Sequence, residues 1–242
     1  MSEQPVALVT GSSTGIGAAV ARRLAETGHR VVVNSARSVE AGEELAKSLP
    51  DAHYVRADIA DEQQARALVE EAVAHYGRLD VLVNNAGTTR IIPHDDLAAA
   101  TPEVWREILD VNLIGTWQVT VAAVPHLRAT GAGSVVNITS IAGSRPAGSS
   151  IPYAVSKAGL EHLTRLLAAT LGPEVRVNAV APGLIDTEWT SALTVPREQV
   201  PLIAPLRRLG TAEDVAATVL GLVGAPYTTG TVLLADGGVH LR

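Results

Sequence analysis

Seven short apolar runs alternating with stretches of helical periodicity predict a doubly wound α/β fold, a seven-stranded parallel sheet flanked by helices on both faces. Two further observations support it. The chain opens with a strand, a glycine loop and a helix start in direct succession, Val6-Ala-Leu-Val-Thr-Gly-Ser-Ser-Thr-Gly-Ile-Gly. No linker, long charge run or convincing repeat then divides it, so 1–242 reads as a single domain, and 47% hydrophobic residues suffice for a sizeable core.

Strands are expected at 6–10, 30–34, 53–57, 81–83, 134–138, 176–180 and 231–234. Helices are expected at 15–27, 39–48, 62–75, 102–112 with an extension to about 127, 152–171 and 212–221. Thr101-Pro102-Glu103 and Thr211-Ala-Glu-Asp214 mark two helix starts, each pairing a capping hydroxyl with acidic residues in the first turn. The segment 184–207 breaks the rhythm with Trp189, Pro196, Pro201 and Pro205, and reads as a lid. In open sheets of this type ligands bind outside the carboxyl ends of the strands, where strand order reverses. The glycine loop, Asn84-Asn85-Ala86-Gly87, Ser140 and Pro182-Gly183 all follow strands there, so these loops converge on one crevice.

Composition narrows the partners. A net charge of -6 with scattered Lys and Arg argues against nucleic acid or anionic membrane. Without cysteine there is no disulfide, thiol nucleophile or thiolate metal site, and the histidines lack metal-binding spacing, so no metal is expected. The first residues lack a signal core and no stretch looks apolar enough to span a bilayer, so the expected location is the cytoplasm. Asn137-Ile-Thr139 matches a glycosylation acceptor, but within an apolar strand.

The glycine loop joins a strand to a helix, so backbone N–H groups and the positive helix end can face a pyrophosphate. Gly11, Gly15 and Gly17 permit tight turns and close approach, with Ser13, Thr14 and Ile16 completing the loop. The loop lacks the Gly-Lys-Ser/Thr ending of a nucleoside-triphosphate site. The second strand ends Asn34-Ser35-Ala36-Arg37 without the acidic residue that would accept from ribose hydroxyls and repel a 2′-phosphate. Ser35 and Arg37 therefore suit NADP(H) better than NAD(H), unless Arg37 merely faces solvent. Asp58 either meets the adenine or starts the next helix.

Tyr153-Ala-Val-Ser-Lys157 places a phenol and an ammonium four residues apart on one helix face. A free phenol titrates near about pH 10, and bringing it to near neutrality takes about 4 kcal/mol of preferential phenolate stabilisation. A positive charge ~4 Å away at an effective dielectric near ~20 supplies that much. Such a phenol suits proton exchange with an alcohol or alkoxide, the partner step of hydride transfer. Ser140 ends the strand before this helix and can present its hydroxyl to the same oxygen, or simply shape the turn.

Together, the glycine loop, Asn84-Asn85-Ala86-Gly87, Asn112, Ser140, Tyr153/Lys157, Pro182-Gly183 and Asp236-Gly237-Gly238 resemble the short-chain dehydrogenase/reductase family over essentially the whole chain, closest to bacterial 3-oxoacyl-carrier-protein reductase-like members. The resemblance implies a Rossmann-type fold with Tyr153 as general acid/base, Ser140 holding the substrate oxygen, and Lys157 lowering the tyrosine and binding the nicotinamide ribose. It further implies that Asn112 anchors a proton-relaying water; the amide can also satisfy backbone at a helix irregularity. Asn85, Ala86, Gly87, Pro182, Gly183, Ile185 and Thr187 become cofactor contacts. Apolar faces on the helices around 113–124 and 153–171 imply burial on more than one side; by the same resemblance these helices form one interface and the carboxyl-terminal strand another, giving a homotetramer, against a thickly covered monomer.

The substrate expected is a ketone or secondary alcohol in a mostly apolar pocket, with Thr88, Ile141, Ala142, Gly143, Ile151 and Trp189 as candidate contacts; Trp189 can equally pack the lid. Carrier-bound acyl chains of fatty-acid or polyketide synthesis are the alternative substrate. Gly172-Pro173-Glu174 lacks the basic residue expected near the site mouth for them. Two other functions compete. Gly11-Ser-Ser13-Thr-Gly15 matches a hydrolase nucleophile elbow, but leaves Gly17 and Tyr153/Lys157 unexplained. A non-catalytic dinucleotide-binding regulator would be expected to have lost the acid, which is present.

Overall fold

The computed structural model describes residues 4–191, 197 and 199–242. Its elements are β1 (Val6–Val9), α1 (Gly15–Glu26), β2 (Arg30–Ser35), α2 (Val39–Ser48), β3 (Ala52–Arg56), α3 (Glu62–Tyr76), β4 (Val81–Asn84), α4 (Pro102–Leu109), α5 (Thr116–Ala129), β5 (Gly133–Ile138), α6 (Ile151–Leu171), β6 (Val175–Pro182), the short α7 (Glu188–Ser191) and α8 (Val200–Ile203), α9 (Ala212–Val223) and β7 (Val232–Ala235). The seven strands lie in the order β3-β2-β1-β4-β5-β6-β7, and every neighbouring pair is parallel. The winding reverses between β1 and β4, where the loops at the carboxyl ends part to leave a crevice.

Alternation along the strands builds two cores. Val6 and Leu8 face the layer of α3, α5 and α6, packing with Leu68, Val119, Leu127 and Leu167. Ala7 and Val9 face α1, α2 and α9, packing with Val20, Leu24, Leu45, Val215 and Val219. Each fully buried Val or Leu contributes about 1.5–3 kcal/mol, so the sheet is held from both sides. Thr101 and Thr211 cap α4 and α9 as expected, with a reciprocal capping box at Thr211/Asp214. Ser150 caps α6 by accepting from Tyr153 N at 3.3 Å.

The region expected as one helix from 102 to about 127 contains a π-helical turn, Asp110–Gly115, between α4 and α5. Gly115 is required there, because a Cβ would stand 2.8 Å from the carbonyl oxygen of Ile59. Contrary to the sequence expectation, 102–129 is long and apolar enough by length and composition to cross a membrane. In the fold it lies along the sheet instead, with Val119, Ala123 and Leu127 fully buried in the core. Asn137 is also fully buried, its amide donating to Thr164 Oγ1 at 2.9 Å and accepting from Asn84 Nδ2 at 2.9 Å. The glycosylation-like triplet is therefore part of a core polar ladder.

Of the segment 184–207, residues 192–196 and 198 lie outside the described residues. The described part carries α7 and α8 and is fastened at its root by a parallel bridge between Ile185 and Gly210.

Candidate active site

The loops after β1, β2, β3, β4, β5 and β6 enclose a cleft of about 690 Å³. At one end lie Gly11, Thr14, Gly15 and Ile16, with Ser35, Arg37 and Asp58 beyond them; at the other lie Ser140, Ile141, Ala142, Tyr153, Lys157 and Trp189. Asn85, Ala86, Gly87, Thr88, Pro182, Gly183, Ile185 and Thr187 line the space between. Ser13, Gly17, Asn112, Gly143 and Ile151 do not line it.

The glycine loop is shaped by close approach. Gly11 has φ +60°, and a Cβ on it would stand 2.7 Å from Ala86 Cα. On Gly17 a Cβ would stand 2.5 Å from both Gly11 O and Asn85 Nδ2. Asn85 Nδ2 donates to Thr10 O at 3.0 Å and Gly11 O at 2.8 Å, and Thr10 Oγ1 accepts from the backbone of Asn85 and Ala86 at 3.1 Å each. The side chain of Asn85 thus binds loop to loop rather than only facing the cleft. Thr14 caps α1 without a side-chain hydrogen bond, and the first turn carries no acidic residue, which leaves the helix end positive. The loop therefore fits an anionic pyrophosphate on its own geometry.

Beyond β2 the polar side chains divide. Asn34, which sequence reasoning did not single out, accepts from Gly11 N at 3.2 Å and donates to Val55 O and Ala57 O at 3.1 Å. Ser35 Oγ donates to Ser38 O at 3.0 Å and lies 2.9 Å from Tyr54 OH, so it shapes the turn. Arg37 is exposed on the cleft margin, with no hydrogen bond or ion pair engaging its guanidinium among the described residues. Asp58 Oδ1 accepts from Ala60 N at 3.0 Å, as a turn-forming residue does.

At the far end, Ser140 starts a 3₁₀ turn, Ile141–Gly143, and accepts from Ala142 N at 3.2 Å. Its side chain shares the cleft lining with the Tyr153 phenol. Lys157 is buried, donates to Ile138 O at 2.9 Å, and holds its Nζ 5.7 Å from the Tyr153 ring centre. Asn112, in the π-helical turn, accepts from Thr88 N at 2.7 Å and donates to Thr88 O at 3.0 Å and Ser156 Oγ at 2.9 Å. Its amide fastens the β4 loop to α6. Asn112 Oδ1, Trp189 Cη2 and Lys157 Nζ all lie within 3.6 Å of the point where a Gly87 Cβ would stand, so Gly87 sits where these three side chains converge.

One expectation is corrected. The sequence spacing suggested a phenol lowered by its cationic neighbour, but burial pushes Tyr153 up, opposed only by the Ser140 hydroxyl. Burial also brings Lys157 down to about 8. Desolvation dominates here: the ammonium donates to the Ile138 carbonyl and stands over the tyrosine ring, 5.7 Å from its centre. At neutral pH the pair is therefore a neutral phenol beside a cationic amine.

Cleft residues that sequence reasoning missed include Val111, Leu184, Val200, Ile203 and Val239. None carries a polar group that a motif would single out, and their place at the cleft is set by partners distant in sequence. Ser13 has no hydrogen bond to a histidine among the described residues, and the nucleophile-elbow reading finds no triad around it.

A family model described as "Enoyl-(Acyl carrier protein) reductase" matches residues 11–240. The "Granaticin polyketide synthase putative ketoacyl reductase 2" of Streptomyces violaceoruber is 71% identical over 242 residues, covering 99% of this chain and 97% of the relative. A 3-oxoacyl-(acyl-carrier-protein) reductase of Staphylococcus aureus is 37% identical over 244 residues, covering 97% and 98% of the two chains. A crystal structure of a "putative short-chain dehydrogenase/reductase" from Burkholderia xenovorans superposes with a TM-score of 0.92 at 35% identity, covering 100% of both chains. With the glycine loop, Ser140, Tyr153 and Lys157 gathered on one cleft, the chain belongs to the short-chain dehydrogenase/reductase family of oxidoreductases.

Proposed function

We propose that this protein is an NADP(H)-dependent ketoreductase that reduces the ketone of a ketoacyl or polyketide substrate to a secondary alcohol. The observation that carries the reaction is the convergence of Ser140, Tyr153 and the buried Lys157 at one end of a cleft that begins at the glycine loop. The similarity to the ketoacyl reductases favours the substrate class.

The loop 11–17 and the start of α1 would hold a pyrophosphate, Asp58 would flank the adenine end, and Arg37 would pair with a 2′-phosphate. Thr187 and Ile185 would border the nicotinamide end, which supplies a hydride when bound. Ser140 Oγ–H donates to the substrate carbonyl oxygen and fixes its orientation. Tyr153, neutral at physiological pH, gives that oxygen its proton as the negative charge develops there. Lys157, cationic below about pH 8, stabilises the phenolate left behind. Asn112 keeps Thr88 and Ser156 in register with this group, and a water beside it would return the proton from solvent through Lys157. The segment 184–207 would close over the reacting carbon and exclude water, with Trp189 against the substrate. Ile141 and Ala142 complete the apolar wall. We place this enzyme in the cytoplasm as a homotetramer, joined through the exposed apolar residues of α5 and α6 at one interface and through β7 at another.

A panel of free and carrier-bound ketones, each with NADPH and NADH, tests the reading. Ketone-dependent oxidation of NADPH is expected. Tyr153→Phe should retain NADPH binding while turnover falls by about 10²–10⁴-fold; turnover equal to the parent's would refute the assignment.

A further inference from the structure

The loop between Ser140 and α6 carries an arginine that the reaction does not use. Arg145 Nη1 donates to Val239 O at 3.1 Å and to the main-chain oxygen of Arg242 at 2.9 Å, and its Nη2 donates to His240 O at 2.5 Å. These oxygens belong to the 3₁₀ turn Val239–Leu241 and the residue after it. The turn is held from its other side by Asp236, whose carboxylate accepts from Gly238 N at 2.9 Å and His240 N at 2.8 Å. The His240 ring nitrogen lies 3.0 Å from the same carboxylate. Two consecutive left-handed glycines, Gly237 with φ +64° and Gly238 with φ +87°, reverse the chain after β7. At Gly238 a Cβ would stand 2.8 Å from Pro205 Cγ, and Leu206 N donates to Gly237 O at 3.1 Å. The result is that Val239, far from the catalytic residues in sequence, lines the same cleft as Ile141, Ala142 and the catalytic side chains.

We infer that Val239 is a specificity-determining residue that limits the size of the group carried by the substrate carbonyl, and that Arg145 is the positioning residue that holds it there. The physical basis is the packing of an apolar wall. One methylene more or less against a fixed wall changes transition-state binding appreciably, whereas a mobile wall discriminates poorly. Arg145 supplies the fixing, because planar guanidinium donors meet several oxygens in one geometry that a point charge does not reproduce. Its position beyond Ser140 in the same loop couples the wall to the residue that orients the carbonyl. The inference rests on the ketone-reducing reading given above.

The test compares kcat/KM across ketones of graded bulk for the parent, Val239→Ala, Val239→Leu and Arg145→Ala, with hydrogen exchange measured over residues 237–242. Val239→Ala should shift the ratio of large to small ketones upward by about tenfold, and Val239→Leu should shift it downward. Arg145→Ala should flatten the ratio, speed exchange at Val239–Leu241, and leave NADPH affinity at the parent's value. Unchanged ratios in both Val239 variants, or an Arg145→Ala variant whose loss is the same for every ketone, would overturn the inference while the functional reading stands. A parent that reduces no ketone with either cofactor would overturn the functional reading, and the specificity role with it.

Discussion

Tyr153 and Lys157 show how far a residue pair can be read before its surroundings are known. Their spacing puts both on one face of α6, and the structure brings them with Ser140 to one cleft. The direction of the titration was not legible, because it depends on the Ile138 carbonyl that captures Nζ and on how much water reaches the phenol. With Lys157 brought down to about 8 by burial, carbonyl reduction should hold steady through neutral pH and decline as pH rises past about 8. Stability runs the other way. Unfolded, the ammonium titrates near 10.5, so between about 8 and 10.5 the unfolded chain binds the extra proton and this group's contribution to stability rises with pH. Lys157→Met should therefore lose turnover yet be no less stable than the parent at pH 7, and its denaturation curves should lack that alkaline rise. A variant markedly less stable at pH 7 would show that the hydrogen bond to Ile138 outweighs desolvation. For Arg37, free at the cleft margin, substitution by alanine should weaken NADPH by about tenfold or more while leaving NADH nearly unchanged, measured as dissociation constants. Equal losses for both cofactors would remove the 2′-phosphate assignment.

Among the elements, the glycines give predictions of opposite sign. Gly17→Ala forces a Cβ against Gly11 O and Asn85 Nδ2 at 2.5 Å, so it should destabilise the fold by about 1–3 kcal/mol and weaken the dinucleotide. Gly221→Ala, in the exposed interior of α9 with nothing within 4 Å, should stabilise by about 0.5–1 kcal/mol. Urea titration of both variants checks the pair, and destabilisation by Gly221→Ala would contradict it. The strand and helix order was readable because near-continuous apolar runs and capping hydroxyls such as Thr101 and Thr211 act locally. The π-helical turn at Asp110–Gly115 was not, since what accompanies it, the approach of Gly115 to Ile59, runs across the fold. Asn34, Val111 and Val239 were missed for the same reason: their roles come from partners distant in sequence. The apolar length of 102–129 was misjudged because a helix covering a sheet can match a membrane span in composition.

Across the whole molecule, both faces of the sheet are covered, yet Ile114, Trp117 and Val121 on one helical run and Val155 and Leu166 on α6 remain 43–53% exposed. Large exposed apolar side chains on adjoining elements suit the association surface proposed above. The proposed homotetramer predicts that the parent sediments as four chains and that Trp117→Glu with Val155→Glu gives a smaller species. A parent sedimenting as a monomer would rule the assembly out. The central claim is the transfer of hydride to a carbonyl positioned by Ser140 and Tyr153, and isotopic labelling tests it most directly. NADPH carrying deuterium at the nicotinamide C4, first on one face and then on the other, is incubated with a ketone substrate and the alcohol is analysed. We expect deuterium on the carbinol carbon from one of the two labelled forms; alcohol formed without deuterium from either would contradict the account.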